Sequence, residues 1–449
     1  MRRGATTLGL LLVLAAGCKD RSAESGSAGA STTAPGAGAT GDIVIGAYLS
    51  MTGSTATFGQ ETQRGAQLAI DETNAAGGIR GRQVRLVTID DRGQADEAGN
   101  AVSRLIDVEK AVALLGEVQS SLSLVGGRIA QRRRVPMVSP SSTNTQVTEI
   151  GDFVFRVCFI DPFQGTVMAR FARENLRLSR VAILRDVRSD YSIGLARAFT
   201  EAFTAGGGTI VADQSYNAGD TDFSAQLTAI KSAGPDGLFI PGYYTEVGNI
   251  ARQARRLGLT VPLLGGDGWD SPELRTIGGP DIVGSYYSNH FAPDRVDDRT
   301  RGFIERYRAR HGETPSGLAA LGYDAALVLL DAMRRARELT PVAIRDALVT
   351  ANVEGVTGRI TFDEKRNPIK PAVVLRVTAE GDRFEAQIDP PTQPATTGGA
   401  GTGTGSSPTT VPPPSGASTT GAAAPAERPG SGGGERVPEA RDPAAAPRS

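Results

Sequence analysis

Cysteine, histidine and aromatic residues are scarce in this chain of 449 residues: two cysteines, two histidines, and aromatics at 5%. His290 and His311 lie far apart, without cysteine or acidic residues at ligand spacing, which argues against a histidine-built metal centre. With a net charge of -1 and so few aromatics, the chain offers neither the basic footprint nor the stacking platforms that nucleic-acid binding needs. The sequence contains no Gly-x-Ser-x-Gly elbow, no phosphate-binding glycine-rich loop ending in Lys-Ser or Lys-Thr, and no His-Glu-x-x-His. No catalytic residue, metal or cofactor is therefore expected. The run Gly-Thr-Gly-Thr-Gly at 401–405 follows no strand and is compositional. The apolar stretch at 8–16 is far too short to span a bilayer.

What is present is 39% apolar content with nearly balanced charge, the mark of a soluble globular protein, in a chain longer than one typical domain. Its start is informative. Met1-Arg2-Arg3 is positive, 8–16 is apolar, and Ala15-Ala16-Gly17 places small residues before Cys18. This resembles a bacterial lipoprotein signal, with Ala15 standing where Leu is commoner, and it implies a signal at 1–17 and lipidation of Cys18. Acyl chains contribute about 0.8 kcal/mol per buried methylene, so such a protein is tethered to a membrane, not embedded in it. An ordinary secretory signal is the alternative. After lipidation Cys158 has no disulfide partner. It lies in the apolar run 153–160 and is expected to be a small core residue.

Two stretches cannot bury enough apolar surface to offset chain entropy. Residues 18–41 are rich in Ser, Ala, Gly and Thr and are expected to form a flexible tether; 390–449 carries Gly-Thr repeats and Pro412-Pro413-Pro414 and is expected to be a disordered tail. Between them, apolar strand-like runs alternate with helix-period segments, the pattern of α/β layers with parallel sheets. One series, with strands near 43–49, 83–89, 112–115 and 135–138, spells out a wound lobe. A polar loop holding Gly53 and Phe58 precedes its helix at 61–75. A second series from 164 to 264 repeats the plan. The helices near 300–310, 318–337 and 342–349 are too much for the second lobe alone, so the chain crosses back to the first. The expected division is 42–159 plus 290–350 for the first lobe and 160–289 plus 351–389 for the second, joined by a hinge of several crossings.

Two loops stand out. Gly116-Glu117-Val118-Gln119-Ser120-Ser121 and Ser139-Pro140-Ser141-Ser142-Thr143-Asn144-Thr145 each follow a buried-strand run. Ligands collect beyond the carboxyl ends of such strands. The first loop opens into a helix with apolar residues at Leu122, Val125 and Ile129, so Ser120 and Ser121 lie where free N–H groups favour an anion. Taken alone, the same residues read as a helix cap and a turn. Asp90 and Asp91, at a strand end, read as turn caps before they read as an acid-base pair.

Over roughly 42–389 the sequence resembles the type I periplasmic binding proteins, in the branched-chain amino-acid (Leu/Ile/Val) branch that serves ABC importers. The likeness rests on Ile45-Gly46-Ala47-Tyr48-Leu49-Ser50-Met51-Thr52-Gly53, Asn74-Ala75-Ala76-Gly77-Gly78-Ile79-Arg80-Gly81, Asp90-Asp91, Ser139-Pro140-Ser141-Ser142-Thr143-Asn144 and Gly242-Tyr243-Tyr244-Thr245-Glu246, in that order. It implies two Rossmann-like lobes closing as a Venus flytrap. Ser120 and Thr143 would meet a ligand carboxylate. The carbonyl of Ser141, the Thr143 hydroxyl and Asp267 in Gly265-Gly266-Asp267-Gly268 would meet its ammonium. Tyr191 and Tyr243 would close over it, with Phe58 at the rim. Asp267 is shorter than the Glu common in the branch, which puts substrate preference in question; its alternative is a turn aspartate. Trp269 either walls the pocket or packs, and of Tyr243 and Tyr244 one is expected at the site and one exposed. The family's first-lobe disulfide is missing, with Arg92 and Gln119 in its neighbourhood.

The resemblance implies a monomeric solute-binding protein on the periplasmic side of the cell envelope, a membrane-anchored lipoprotein that captures an amino acid or amide-like molecule and presents it to an inner-membrane ABC permease. An envelope sensor of the same fold, not coupled to transport, is the competing reading.

Overall fold

The computed structural model describes residues 41–390 except Val296. The signal at 1–17, Cys18, the tether and the tail lie outside the described residues, apart from the edge residues Gly41 and Pro390. The first lobe opens with β1 (Ile43–Leu49), apolar at nearly every position and buried at all of them, as suits a strand covered on both faces. Then come α1 (Ala56–Ala75), β2 (Val84–Asp90), α2 (Ala95–Asp107), β3 (Ala113–Leu115), α3 (Ser120–Arg133), β4 (Met137–Ser139), α4 (Gln146–Glu149) and β5 (Val154–Arg156). The five strands form one parallel sheet in the order β2-β1-β3-β4-β5.

The second lobe runs through α5 (Asp161–Arg170), β6 (Arg180–Asp186), α6 (Asp190–Ala205), β7 (Thr209–Tyr216), α7 (Ser224–Ala233), β8 (Gly237–Phe239), α8 (Tyr244–Arg256), β9 (Leu263–Gly265), α9 (Pro272–Gly278) and β10 (Tyr286–Asn289). The chain then returns to the first lobe as α10 (Asp298–His311), α11 (Gly317–Arg335), α12 (Pro341–Val349) and the hairpin β11 (Val353–Gly355) with β12 (Gly358–Ile360). It ends on the second sheet as β13 (Ala372–Val377) and β14 (Asp382–Ile388). The second sheet has the order β14-β13-β10-β9-β8-β6-β7. Without β13 and β14, its strands repeat the first sheet's winding. In both lobes the strand order reverses beside the lobe's first strand, and ligands of open α/β sheets bind at such switch points.

Three features differ from the sequence reading. The second sheet is not wholly parallel, because β13 pairs antiparallel with both β10 and β14. The hairpin β11–β12, expected with the second lobe, packs against α11 of the first; two short strands show no periodicity that could have assigned them. Phe58 sits in the first turn of α1, not in the preceding loop. Gly59 is needed within the helix, since a Cβ there would lie 2.3 Å from the carbonyl oxygen of Ser50.

The crossings between lobes are tied together by buried groups. Lys370 Nζ donates to the carbonyl of Val157 at 2.7 Å and also meets Thr357 Oγ1. Phe159, on the crossing after β5, stacks on His290, on the crossing after β10, with centroids 3.6 Å apart. Beneath the first lobe's sheet, α1 and α11 make the most extensive helix pairing of the fold. Their approach depends on Gly65, where a Cβ would lie 1.9 Å from the carbonyl oxygen of Ala319. Gly65→Ala must push the helices apart and is expected to destabilise the protein by about 1–3 kcal/mol in urea unfolding; unchanged stability would mean that the pair separates without cost.

Candidate functional site

The carboxyl ends of the two sheets face one another across a narrow gap. Phe58, Val118, Ser120, Ser141 and Leu318 line it from the first lobe, and Tyr191, Tyr243, Asp267 and Gly268 from the second, around a cavity of about 10 Å³, the space of a single water. The lobes already touch on both flanks of the gap. Thr245 Oγ1 donates to the carbonyl of Ser54 at 2.6 Å, the hydroxyls of Thr57 and Ser271 lie 2.9 Å apart, Asn144 Nδ2 donates to the carbonyl of Asp190 at 2.7 Å, and the Asp190 amide donates to Ser121 Oγ at 3.0 Å. The arrangement is that of a closed cleft.

The first-lobe loops owe their shape to buried polar groups. Glu117 is fully buried; its carboxylate accepts from the Ser50 amide at 3.0 Å and from the Gln119 amide, and its carbonyl oxygen lies within 2.9 Å of the hydroxyls of Ser123, Ser139 and Ser142. Burial, then the charge of Asp91, pushes the Glu117 carboxyl well up, and burial pushes Asp91 to about 6. Arg156, also fully buried, donates to the carbonyls of Ser142 at 2.5 Å and Asn144 at 2.8 Å, bracing the second loop from below. Each buried carbonyl is thereby satisfied, and the loop conformation is set. Asp90 accepts from the amides of Met51, Thr52 and Arg92, the turn-capping role read from the sequence.

Ser120 does not cap its helix. It is the first residue of α3, after Gln119 at the cap position, and no side-chain bond closes that end. Ser120 Oγ accepts instead from the Asn144 amide at 3.2 Å, and the hydroxyl borders the gap. An uncapped helix start with a hydroxyl beside it is a place for an anion.

Across the gap stands Asp267, 6% exposed, in the single turn Asp267–Trp269 that follows β9. Oδ1 accepts from Gln164 Nε2 at 2.7 Å, and Oδ2 lies 3.1 Å from His290 Nε2. Among the described residues, no lysine or arginine reaches this carboxylate within 4.0 Å. Burial holds His290 below its ordinary range, so at neutral pH the carboxylate is met by two neutral donors. Tyr191 accepts from the Gly268 amide at 3.1 Å and stacks on Tyr243, with centroids 5.3 Å apart and planes 5° from parallel. Phe58 meets Tyr243 edge-on at 5.5 Å across the lobes.

Of the residues singled out from sequence, Phe58, Ser120, Ser141, Tyr191, Tyr243 and Asp267 come together at the gap. Thr143 does not border it. It is fully buried, its carbonyl accepts from the Asp161 amide at 3.0 Å, and its hydroxyl lies toward the Asp161 carboxylate. Tyr244 is buried rather than exposed, its hydroxyl 3.4 Å from the Thr57 amide in the other lobe. Trp269 packs in the core and donates to the carbonyl of Ile240 at 3.0 Å. Val118, Leu318, Gln164 and His290 were not assigned from sequence. An apolar residue at a loop or helix start reads as core, and nothing local to Gln164 or His290 signals a partner far along the chain.

Residues 42–382 match the family described as periplasmic binding protein. An amino acid binding protein of Pseudomonas aeruginosa is 32% identical over 326 residues, covering 72% of this chain and 87% of that one. Among solved structures, a leucine binding protein from Thermotoga maritima is similar with a TM-score of 0.75 and 43% identity, over 78% of this chain and 99% of that one. The branched-chain amino acid transporter substrate binding protein of Streptococcus pneumoniae, solved in complex with isoleucine, gives 0.73 and 36%, over 77% and 98%.

Beside the gap, Asp161 at the start of α5 is 2% exposed, with the Thr143 hydroxyl toward its carboxylate. Burial pushes its carboxyl up to about 8. The folded state thus binds a proton that the unfolded chain releases near its ordinary value, 3.8. The associated stability is fully present below that value and is lost as pH rises toward about 8. Asp161→Asn cannot ionise, so its melting temperature is expected to fall less than that of the wild type between about pH 5 and 8. Parallel profiles in scanning calorimetry would show that Asp161 does not carry this dependence.

Proposed function

Since the chain belongs to the family of periplasmic binding proteins, we propose that it is the extracytoplasmic solute-binding component of an ABC importer, capturing a branched-chain or closely related amino acid between its lobes. Asp267 is the observation that carries this reading: a nearly buried carboxylate at the gap, with neutral donors and, among the described residues, no lysine or arginine within 4.0 Å, facing a lobe that offers a hydroxyl and an uncapped helix start. A buried charge left uncompensated costs several kcal/mol, and the α-ammonium of an amino acid supplies the missing cation. Ser120, with the start of α3, takes the α-carboxylate; Ser141 adds a polar contact beside it. Phe58, Val118, Leu318, Tyr191 and Tyr243 enclose the side chain.

A solute held by groups from both lobes favours closure by as much as it prefers the closed form, and the closed surface is what a permease reads. The protein acts as a monomer on the periplasmic side of the envelope, held through lipid on Cys18. Relatives that bind leucine and isoleucine favour this reading over that of a sensor uncoupled from transport.

Calorimetric titration of the purified protein with leucine, isoleucine and valine is expected to give a dissociation constant in the micromolar range or tighter, about -8 kcal/mol. Asp267→Asn removes the ammonium's partner and is expected to weaken binding about a hundredfold or more. No heat with any amino acid would overturn the assignment, and so would an Asp267→Asn protein that binds as tightly as the wild type.

A further inference from the structure

We propose that His290 and Gln164 are positioning residues for ammonium recognition: two neutral donors that fix the Asp267 carboxylate in the gap and leave its negative charge for the ligand. The proposal rests on the amino-acid reading above and adds to it the means by which a short aspartate is aimed.

Asp267 has one methylene to reach with, and its turn is otherwise held through neighbours: the Gly268 amide on Tyr191 and the Trp269 indole on the carbonyl of Ile240. The orientation of the carboxylate is decided by its own two contacts, Gln164 Nε2 at 2.7 Å and His290 Nε2 at 3.1 Å. Both come from buried side chains distant in sequence, Gln164 on α5 and His290 on the crossing that follows β10. Since Asp267 can only accept, His290 carries its proton on Nε2; its Nδ1 has no partner among the described residues. Each carboxylate oxygen keeps a second lone pair free. A lysine or arginine in either place would orient the carboxylate equally well but would also neutralise it, removing the attraction for an ammonium.

His290 has a second contact, the stack on Phe159. The carboxylate is thereby referred to two crossings of the hinge, and its place in the gap follows the crossings that set how the lobes meet. The two roles of the imidazole are separable, because a phenyl ring keeps the stack and lacks the donor.

The test measures dissociation constants for leucine and for its α-hydroxy analogue, the second by competition, on the purified protein. Fluorescence of Trp269, the only tryptophan, reports folding. His290→Phe is expected to weaken leucine about tenfold or more while moving the hydroxy acid less than about threefold, because the lost donor acts on the group that meets the ammonium. His290→Gln, which restores an N–H donor, is expected to recover most of the loss. Gln164→Met is expected to behave as His290→Phe does, and it keeps the test open should the phenyl variant fail to fold. Equal losses for both ligands, or unchanged leucine binding in both donorless variants, would overturn the proposal while leaving the amino-acid reading intact. A wild-type protein that binds no amino acid would overturn both.

Discussion

A carboxylate withdrawn from water, with no lysine or arginine within 4.0 Å among the described residues, is the constraint that organises this structure. Asp267 lies in that condition at the meeting of the lobes, held by an amide and an imidazole that contribute hydrogen bonds but no charge. Neutral donors lower the cost of desolvation without cancelling the field. The rest of the gap fits the same logic. Aromatic rings and aliphatic side chains keep water out, and the opposite wall presents a hydroxyl and helix-end amides suited to negative charge. Charges of opposite sign, well separated on one small solute, would complete such a site.

The contrast between the lobes is physical. The first-lobe loops are held from within: Glu117 gathers the serines from beneath, and Arg156 binds carbonyls of the second loop without a carboxylate partner within 4.0 Å among the described residues. The second lobe supplies the tyrosines and Asp267. The surfaces that meet at the flanks use hydroxyls and single amides, bonds worth about 0.5–1.5 kcal/mol each that water replaces readily on opening. Apolar packing fills each lobe and also runs between them, where Phe58 of the first lobe meets Tyr243 and Tyr244 of the second edge-on.

Much of the fold was legible because its signals are local. Apolar runs such as 43–49 and 181–184 mark strands buried on both faces, and the helices between them show the period of an amphipathic face. The repeated winding of the two lobes followed from that alternation. The antiparallel pair β13–β14 and the placement of β11–β12 were not legible, since short strands declare neither direction nor partner. Within the site, Ser120, Ser141, Tyr191, Tyr243 and Asp267 stand at strand ends, where function is expected. Thr143 stands there too, but it does not border the gap.

The sequence by itself determined two wound α/β lobes and the chemistry gathered at their strand ends, because strand burial, helix period and turn residues are properties of neighbouring positions. Tertiary structure alone decided which groups face one another. Gln164 stands 103 residues from Asp267 and His290 stands 23 from it, and Leu318 reaches the gap only because α11 returns to the first lobe. Their roles arise from contacts that form when the lobes and the hinge are assembled, and no local pattern encodes a partner at such a distance.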